Sequence, residues 1–365
     1  MIKIAKKNFG KNCRIAVISD IHGSYSLLCR LLSNPEVKKA DHIVFDGDYI
    51  SRGRESLRVL RLLFELEKQE NVSIVKGNLE RLVNWYVNAE PQGILRHFKG
   101  HKYNLFRECV EEQGLERIDG ETFPGLREMF KERYPDIISW CAELPNALET
   151  EYIVFTHAGL GTSENWRESS EQDVMKNDPF IKTGVNTTGK WLVCGHMPTW
   201  NSRFSGNSNN CFVDRERRIA FTDGGNQVKD FAQLNALIID CRDGELGFST
   251  VFESWYPVFV AEKSCVPNLS LISGKDHWPE GELDVLERGE DFTLCKRADG
   301  SLIHVASSHL EFSGDKALFI RNTVSELLAV DKGERLELLD APRGGFIFVR
   351  KASGEIGWVS REVLG

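Results

Sequence analysis

The chain has 365 residues, with 46 Lys and Arg against 54 Asp and Glu, for a formal net charge of −8 at pH 7. That mild acidity gives no nucleic-acid footprint, and the sequence has no run of about 18 apolar residues that could span a membrane. Nine cysteines, odd in number and without Cys-x-x-Cys pairs, fit a reducing compartment rather than a disulfide framework. Met1 to Lys11 is basic but lacks an apolar stretch, so no signal peptide is expected and the location reads as cytoplasmic.

Taken in order, Arg14-Ile-Ala-Val-Ile18 reads as a buried strand delivering Asp20-Ile-His22-Gly23, and Tyr25 to Leu32 as the helix that follows. Asp41 to Phe45 is a second strand, running into Asp46-Gly-Asp48 and Arg52-Gly53. Glu55 to Glu70 is an amphipathic helix, and Asn71 to Val75 a third strand ending in Gly77-Asn78-Leu79-Glu80. This βαβαβ order argues for a mainly parallel sheet with chemistry at the strand ends. Residues 81–148 carry helical spacing over Leu82–Val87, Tyr103–Glu112 and Phe123–Trp140, with breaks at Pro91, Gly114 and Pro135, and read as a helical insertion. Strands resume at Glu151–Phe155, delivering His157-Ala-Gly159, and at Lys190–Cys194, delivering Gly195-His196. Arg218–Thr222, Leu234–Asp240 and Phe248–Phe252 read as further strands, and a boundary is expected near residues 255–268.

The tail reads as an internal repeat. Glu282-Leu283, Gly289-Glu290 and Leu294 recur 44 residues later as Glu326-Leu327, Gly333-Glu334 and Leu338, and Ile303 and Val305 match Ile347 and Val349. Short strands between charged Gly turns point to two small β-barrels in tandem.

Asp20, His22, Asp48, Asn78, His157 and His196 all follow apolar runs. Together they make a mixed oxygen and nitrogen donor set in which one carboxylate can bridge two ions. Such donors suit Mn, Fe or Zn and disfavour a thiolate site. His42, His97, His101, His277, His304 and His309 read as ordinary core or surface histidines.

These blocks, Asp20-Ile-His22, Gly47-Asp48 with Arg52-Gly53, Gly77-Asn78 with Glu80, His157-Ala-Gly159 and Gly195-His196, resemble calcineurin-like metallophosphoesterases over roughly residues 13–252. Their order most resembles the phosphoprotein phosphatase branch with its bacterial members. The resemblance implies a four-layer α/β/β/α sandwich, two divalent or trivalent metal ions, and hydrolysis of phosphate esters by direct attack of metal-bound hydroxide. By the same resemblance Asp20 and His22 would hold one ion, Asp48 would bridge, and Asn78, His157 and His196 would hold the other. Asp48, Arg52 and Asn78 would be the catalytic residues, with Arg52, Asn78 and Lys176 on the substrate phosphate. The substrate would be a phosphorylated protein or small molecule, or a phosphodiester or dinucleoside polyphosphate.

Two departures from the family pattern stand out: Ser51 where the family has Asp, and Leu79 where it has His. In the family that pair protonates the leaving oxygen. Its loss leaves either an enzyme for better leaving groups or a weakly active metal- and phosphate-binding module acting through protein contacts. Ala317-Leu-Phe319, Glu326-Leu327, Lys332-Gly-Glu334 and Gly357-Trp-Val359 resemble an SH3 fold. This gives an expected division into a catalytic domain over 1–258, a truncated SH3-like unit over 266–313 and a second over 314–365. The SH3-like units would offer a surface for a protein partner, though Val363 and Phe346-Ile347 replace the aromatics that grip proline helices.

Overall fold

The computed structural model describes every residue except 203–204 and 277–280, so His277 lies outside the described residues; of 341–343 only the backbone is described. The chain forms two compact units, the first comprising Met1–Ser202, Asn210–Val228 and Ala232–Ser254, the second Lys229–Phe231 and Trp255–Gly365 with residues 205–209. No helix among the described residues is long and apolar enough to cross a membrane.

The first unit begins with β1 (Ile4–Lys6), β2 (Asn12–Ile18), α1 (Tyr25–Ser33), α2 (Pro35–Lys38), β3 (His42–Asp46), α3 (Ser56–Leu66) and β4 (Val72–Val75). Five helices follow: α4 (Arg81–Asn88), α5 (Pro91–Gly100), α6 (Leu105–Glu112), α7 (Phe123–Arg133) and α8 (Pro135–Glu143). The unit ends with β5 (Ala147–Glu149), β6 (Ile153–Thr156), α9 (Glu171–Met175), α10 (Phe180–Thr183), β7 (Trp191–Cys194), β8 (Phe212–Asp214), β9 (Ile219–Phe221), β10 (Leu234–Arg242) and β11 (Glu245–Glu253).

Two sheets result, one ordered β11-β10-β2-β3-β4 and the other β1-β5-β6-β7-β9-β8. The first is mixed: β2, β3 and β4 run parallel, while β10 pairs antiparallel with β2 and β11. Period-two alternation makes the layers. Ile15 and Val17 of β2 join Phe155, Val193 and Ala220 of the other sheet in one core, while Ala16 and Ile18 face the helices α1, α3 and α4 to α8. Val154, Leu192 and Cys194 point the other way, onto Val174, Met175, Phe180 and Ile181. The result is an α/β/β/α sandwich.

Proline accounts for two local differences in the insertion. Pro135 divides the Phe123–Trp140 stretch into α7 and α8, because it has no N–H to continue α7. Pro91, expected as a break, instead sits at the first position of α5, where its missing N–H has no partner to lose.

The second unit contains β12 (Val258–Val260), β13 (Lys275–Asp276), β14 (Leu283–Glu287), β15 (Phe292–Lys296), β16 (Leu302–Ala306), β17 (Leu310–Ser313) and β18 (Lys316–Phe319). After these come β19 (Thr323–Val324), β20 (Arg335–Arg343), β21 (Phe346–Lys351) and β22 (Ile356–Ser360). Its main sheets are ordered β16-β15-β14-β18-β17 and β12-β20-β21-β22.

This topology corrects the repeat register. The central strand β15 corresponds to the central strand β21, and β16 to β22, which sets Phe292 on Phe346, Gly300 on Gly354 and Val305 on Val359, an offset of 54. The 44-residue register instead places β16 residue Ile303 on β21 residue Ile347, pairing an edge strand with a central one. Gly300-Ser-Leu-Ile-His-Val305 is thus the counterpart of Gly354 to Val359. Ala317-Leu-Phe319, expected in the second repeat, forms β18 and pairs with β14 and β17.

Candidate metal centre

The strand ends converge because β2, β3 and β4 are parallel neighbours, and so are β6 and β7. The loops after β2, β3 and β7 leave their strands through left-handed turns: φ is 52° at Asp20, 47° at His22, 55° at Asp48 and 67° at His196. Non-glycine residues seldom adopt this conformation, and where they do the surroundings must hold it. Here backbone bonds interlock the loops. The N–H of Asp20 donates to Gly47 O and that of His22 to Asp48 O, both at 3.0 Å, and Gly53 N–H donates to His22 O at 2.9 Å. Close approach also demands glycine: a Cβ on Gly47 would lie 2.4 Å from His157 Nδ1, and one on Gly195 2.3 Å from Asp20 Oδ2.

Donor atoms of Asp20, His22 and Asp48 lie within 4.8 Å of one another, as do those of Asp48, His157 and His196. Asp48 is common to both groups. Asp48 Oδ1 lies 3.4 Å from His157 Nε2 and accepts the Leu79 N–H at 2.9 Å. His157 Nδ1 lies 2.8 Å from the Asp46 carbonyl, so it carries the proton and turns Nε2, which has no hydrogen-bond partner, into the centre. His22 Nδ1 and Asn78 Oδ1 are likewise buried without partners.

Burial pushes the His22 imidazole down to about 3, leaving it neutral. Burial and the nearby Asp223 carboxylate hold Asp20 well above the usual carboxylate range. Burial would also raise Asp48, but His157, His22 and His196 outweigh it and hold the group below its ordinary value. Burial alone would lower His157, yet the facing Asp48 and Asp20 carboxylates raise it well above the usual imidazole range. Asp20, Asp46, Asp48, Glu80 and Asp223 are all buried together. Buried carboxylates need a cation or a proton. Orphaned nitrogens and an amide oxygen beside them fit bound divalent cations.

Some residues here carry no metal-ligand signature in sequence. Glu80 Oε2 accepts the N–H groups of Asp48 at 3.0 Å and Gly77 at 2.9 Å, and Oε1 that of Tyr49 at 2.8 Å, which ties the second block to the third. Asp178 Oδ1 lies 2.8 Å from His196 Nε2, and Asp223 sits in the loop after β9. The positions of Asp46 at the end of β3 and Asp223 two residues past β9 were the available signal for those two; nothing marked Asp178.

Arg52 is exposed, with φ at 66° and its N–H on the Tyr103 carbonyl at 3.0 Å. Lys176 is exposed at the C-terminal cap of α9, two residues before Asp178, and makes no side-chain bond or ion pair among the described residues. Ser51 and Leu79 are both buried, at 4% and 8% exposure, and Ser51 Oγ has no hydrogen-bond partner.

The sandwich and its strand-end polar cluster define a phosphoesterase architecture. The family model of calcineurin-like phosphoesterases matches residues 13–238, and the chain belongs to that family; it is a hydrolase, and the family uses divalent metal ions. Among curated proteins it is similar to the asymmetrical bis(5'-nucleosyl)-tetraphosphatases PrpE of Oceanobacillus iheyensis, 26% identical over 52% of this chain and 79% of that protein, and of Halalkalibacterium halodurans, 26% identical over 51% and 79%. Among solved structures it is similar to a protein serine/threonine phosphatase from Saccharomyces cerevisiae (14% identity, 70% of this chain and 85% of that one, TM-score 0.44). A metallophosphoesterase from Sphaerobacter thermophilus is also similar (16%, 66% and 88%, TM-score 0.39).

Proposed function

We propose that this chain hydrolyses a phosphoanhydride of the dinucleoside polyphosphate class, with Asp20, His22 and Asp48 holding one divalent cation and Asp48, Asn78, His157 and His196 the other. The carrying observation is the convergence of Asp20, His22, Asp48, His157 and His196, with an unpartnered Asn78 Oδ1 and with Leu79 and Ser51 at the two positions that would form the acid. Bound ions would supply Lewis-acid charge and a water of lowered pKa. Arg52, a planar forked donor on the exposed rim, would take the substrate phosphate, with Asn78 beside it and Lys176 available as a point charge.

No side chain at 51 or 79 can hand a proton to the departing oxygen, and a general acid is typically worth about 10²–10⁴-fold. A phosphate leaving group, whose second pKa is about 6, departs as an anion at neutral pH without that help. A serine or threonine alkoxide does not. The similarity to the two tetraphosphatases points the same way. In the second unit we read the repeated strand–strand–strand–turn order as two SH3-like halves, with every catalytic residue upstream of residue 258.

The same absence of an acid supports a second reading, a binding module that holds metal and phosphate without turnover. A manganese-loaded panel of bis(5'-adenosyl) tetraphosphate, 4-nitrophenyl phosphate and a phosphoserine peptide separates the two. Fast cleavage of the first two and slow cleavage of the third supports the hydrolase. Equal rates on all three would refute the leaving-group argument, and metal binding without any turnover would favour the module.

A further inference from the structure

The helical insertion carries a cavity that the metal centre does not use. It has a volume of about 550 Å³ and is lined by Arg81, Leu82, Asn84, Trp85, Asn88, Ala89 and His97, within the range of small-molecule pockets. Its floor is α4, which starts three residues after Asn78 and directly after Glu80, whose side chain holds the Asp48 loop. At a rise of 1.5 Å per residue, Trp85 lies about 6 Å along α4 from Arg81, the first helical residue after the Asn78 turn. A ribose with one or two phosphates spans such a distance. Arg81, exposed at the first turn of α4, makes one side-chain hydrogen bond among the described residues, a long 3.3 Å one to Gln172. Its guanidinium is thus available to an anion passing between cavity and centre.

The walls suit a planar heterocycle. Trp85 is half-buried, and His97 meets its ring edge-on, with centroids 5.4 Å apart and planes at 88°. That arrangement fixes the indole by its edge contact. Asn84 and Asn88, one turn apart, line the same cavity with amide groups, Asn88 Nδ2 donating to Asn84 Oδ1 at 2.7 Å. His97 Nε2 is buried and has no hydrogen-bond partner. Burial holds the His97 ring neutral, down to about 4, so it can offer either a donor or an acceptor at that nitrogen.

We propose that this cavity is a nucleobase subsite: Trp85 stacks on a purine, Asn84, Asn88 and His97 address its edge, and Arg81 guides the phosphate chain toward Asp48. The inference rests on the nucleotide substrate class proposed above and names the part of the chain that selects it. Base stacking on an aromatic side chain corresponds to roughly 10- to 100-fold in affinity.

The test is calorimetric binding of adenosine 5'-monophosphate and ribose 5-phosphate to the full chain in EDTA, so that neither metal nor turnover enters. The wild type should bind the nucleotide at least about tenfold more tightly than the base-free phosphate. Trp85→Ala should erase that preference and Trp85→Phe should keep most of it, each variant retaining a cooperative thermal transition. Asn84→Leu, on the exposed side of α4, should weaken the nucleotide alone and guards against a Trp85→Ala variant that fails to fold. Equal affinity for the two ligands in the wild type, or an undiminished preference in Trp85→Ala, overturns the subsite. Because the readout is binding, a protein that cleaves no tetraphosphate but shows the preference retains the subsite and loses the hydrolase reading. One that cleaves tetraphosphate without the preference does the reverse.

Discussion

Glu80→Gln probes how the second and third blocks are locked together. The Glu80 carboxylate is fully buried and accepts three backbone N–H groups, from Asp48, Tyr49 and Gly77. A glutamine amide can keep its oxygen on the Asp48 and Gly77 donors, but its NH₂ then faces the Tyr49 N–H. The Tyr49 N–H loses its acceptor and faces the amide's own N–H groups, at about 1–3 kcal/mol, and the two retained bonds drop from charge-assisted to neutral, roughly 0.5–1 kcal/mol each. Part of that is offset because burial and Asp48 already strain the ionised carboxylate, raising it to about 7. The net loss expected in urea unfolding of the metal-free chain is therefore about 1–3 kcal/mol. Metal affinity should fall by more than stability alone implies, by about 10- to 100-fold, because the peptide carrying Asp48 is no longer fixed. Calorimetric manganese titration and the urea midpoint are read on the same preparations. An unchanged midpoint together with unchanged affinity would show that the three N–H bonds do not organise the centre.

Two further perturbations address the missing acid and the second unit. Ser51→Asp combined with Leu79→His should speed hydrolysis of alkyl phosphates selectively, up to about 10²-fold, with little effect from either change alone; a leaving-group series on the four proteins reads this out, and uniform acceleration would contradict it. Arg350 is fully buried, paired with Glu337 at 2.8 Å and bonded to the Phe231 carbonyl. Arg350→Ala should therefore destabilise the second unit by about 3–5 kcal/mol, seen as a lowered thermal midpoint, and a shift within error would mean solvent readily replaces the guanidinium.

Much of the centre was legible because the chemistry is local. An apolar run followed by Asp20-Ile-His22, or by Gly47-Asp48, states both a strand and what it delivers, and parallel neighbours then bring those ends together whatever lies between. Glu80's three bonds were not legible, because backbone N–H donors have no sequence signature. Asp178 reaches His196 from a loop after α9, and only the tertiary fold brings the two together. The repeat failed for a different reason. Glu-Leu and Gly-Glu pairs recur wherever charged turns flank strands, so the 44-residue match rested on common dipeptides. The 54-residue match rests on residues with fixed places in the ladder, such as Phe292 and Phe346 at the start of the central strands.

The central claim is a pair of cations sharing the Asp48 carboxylate, and metal counting tests it most directly. After EDTA treatment and equilibrium dialysis against manganese, the wild type should hold two ions per chain by elemental analysis. Asp48→Asn should hold fewer than one, because a neutral amide cannot offset two dications as a shared carboxylate does. Two ions retained by Asp48→Asn, or a single ion in the wild type, would contradict the account.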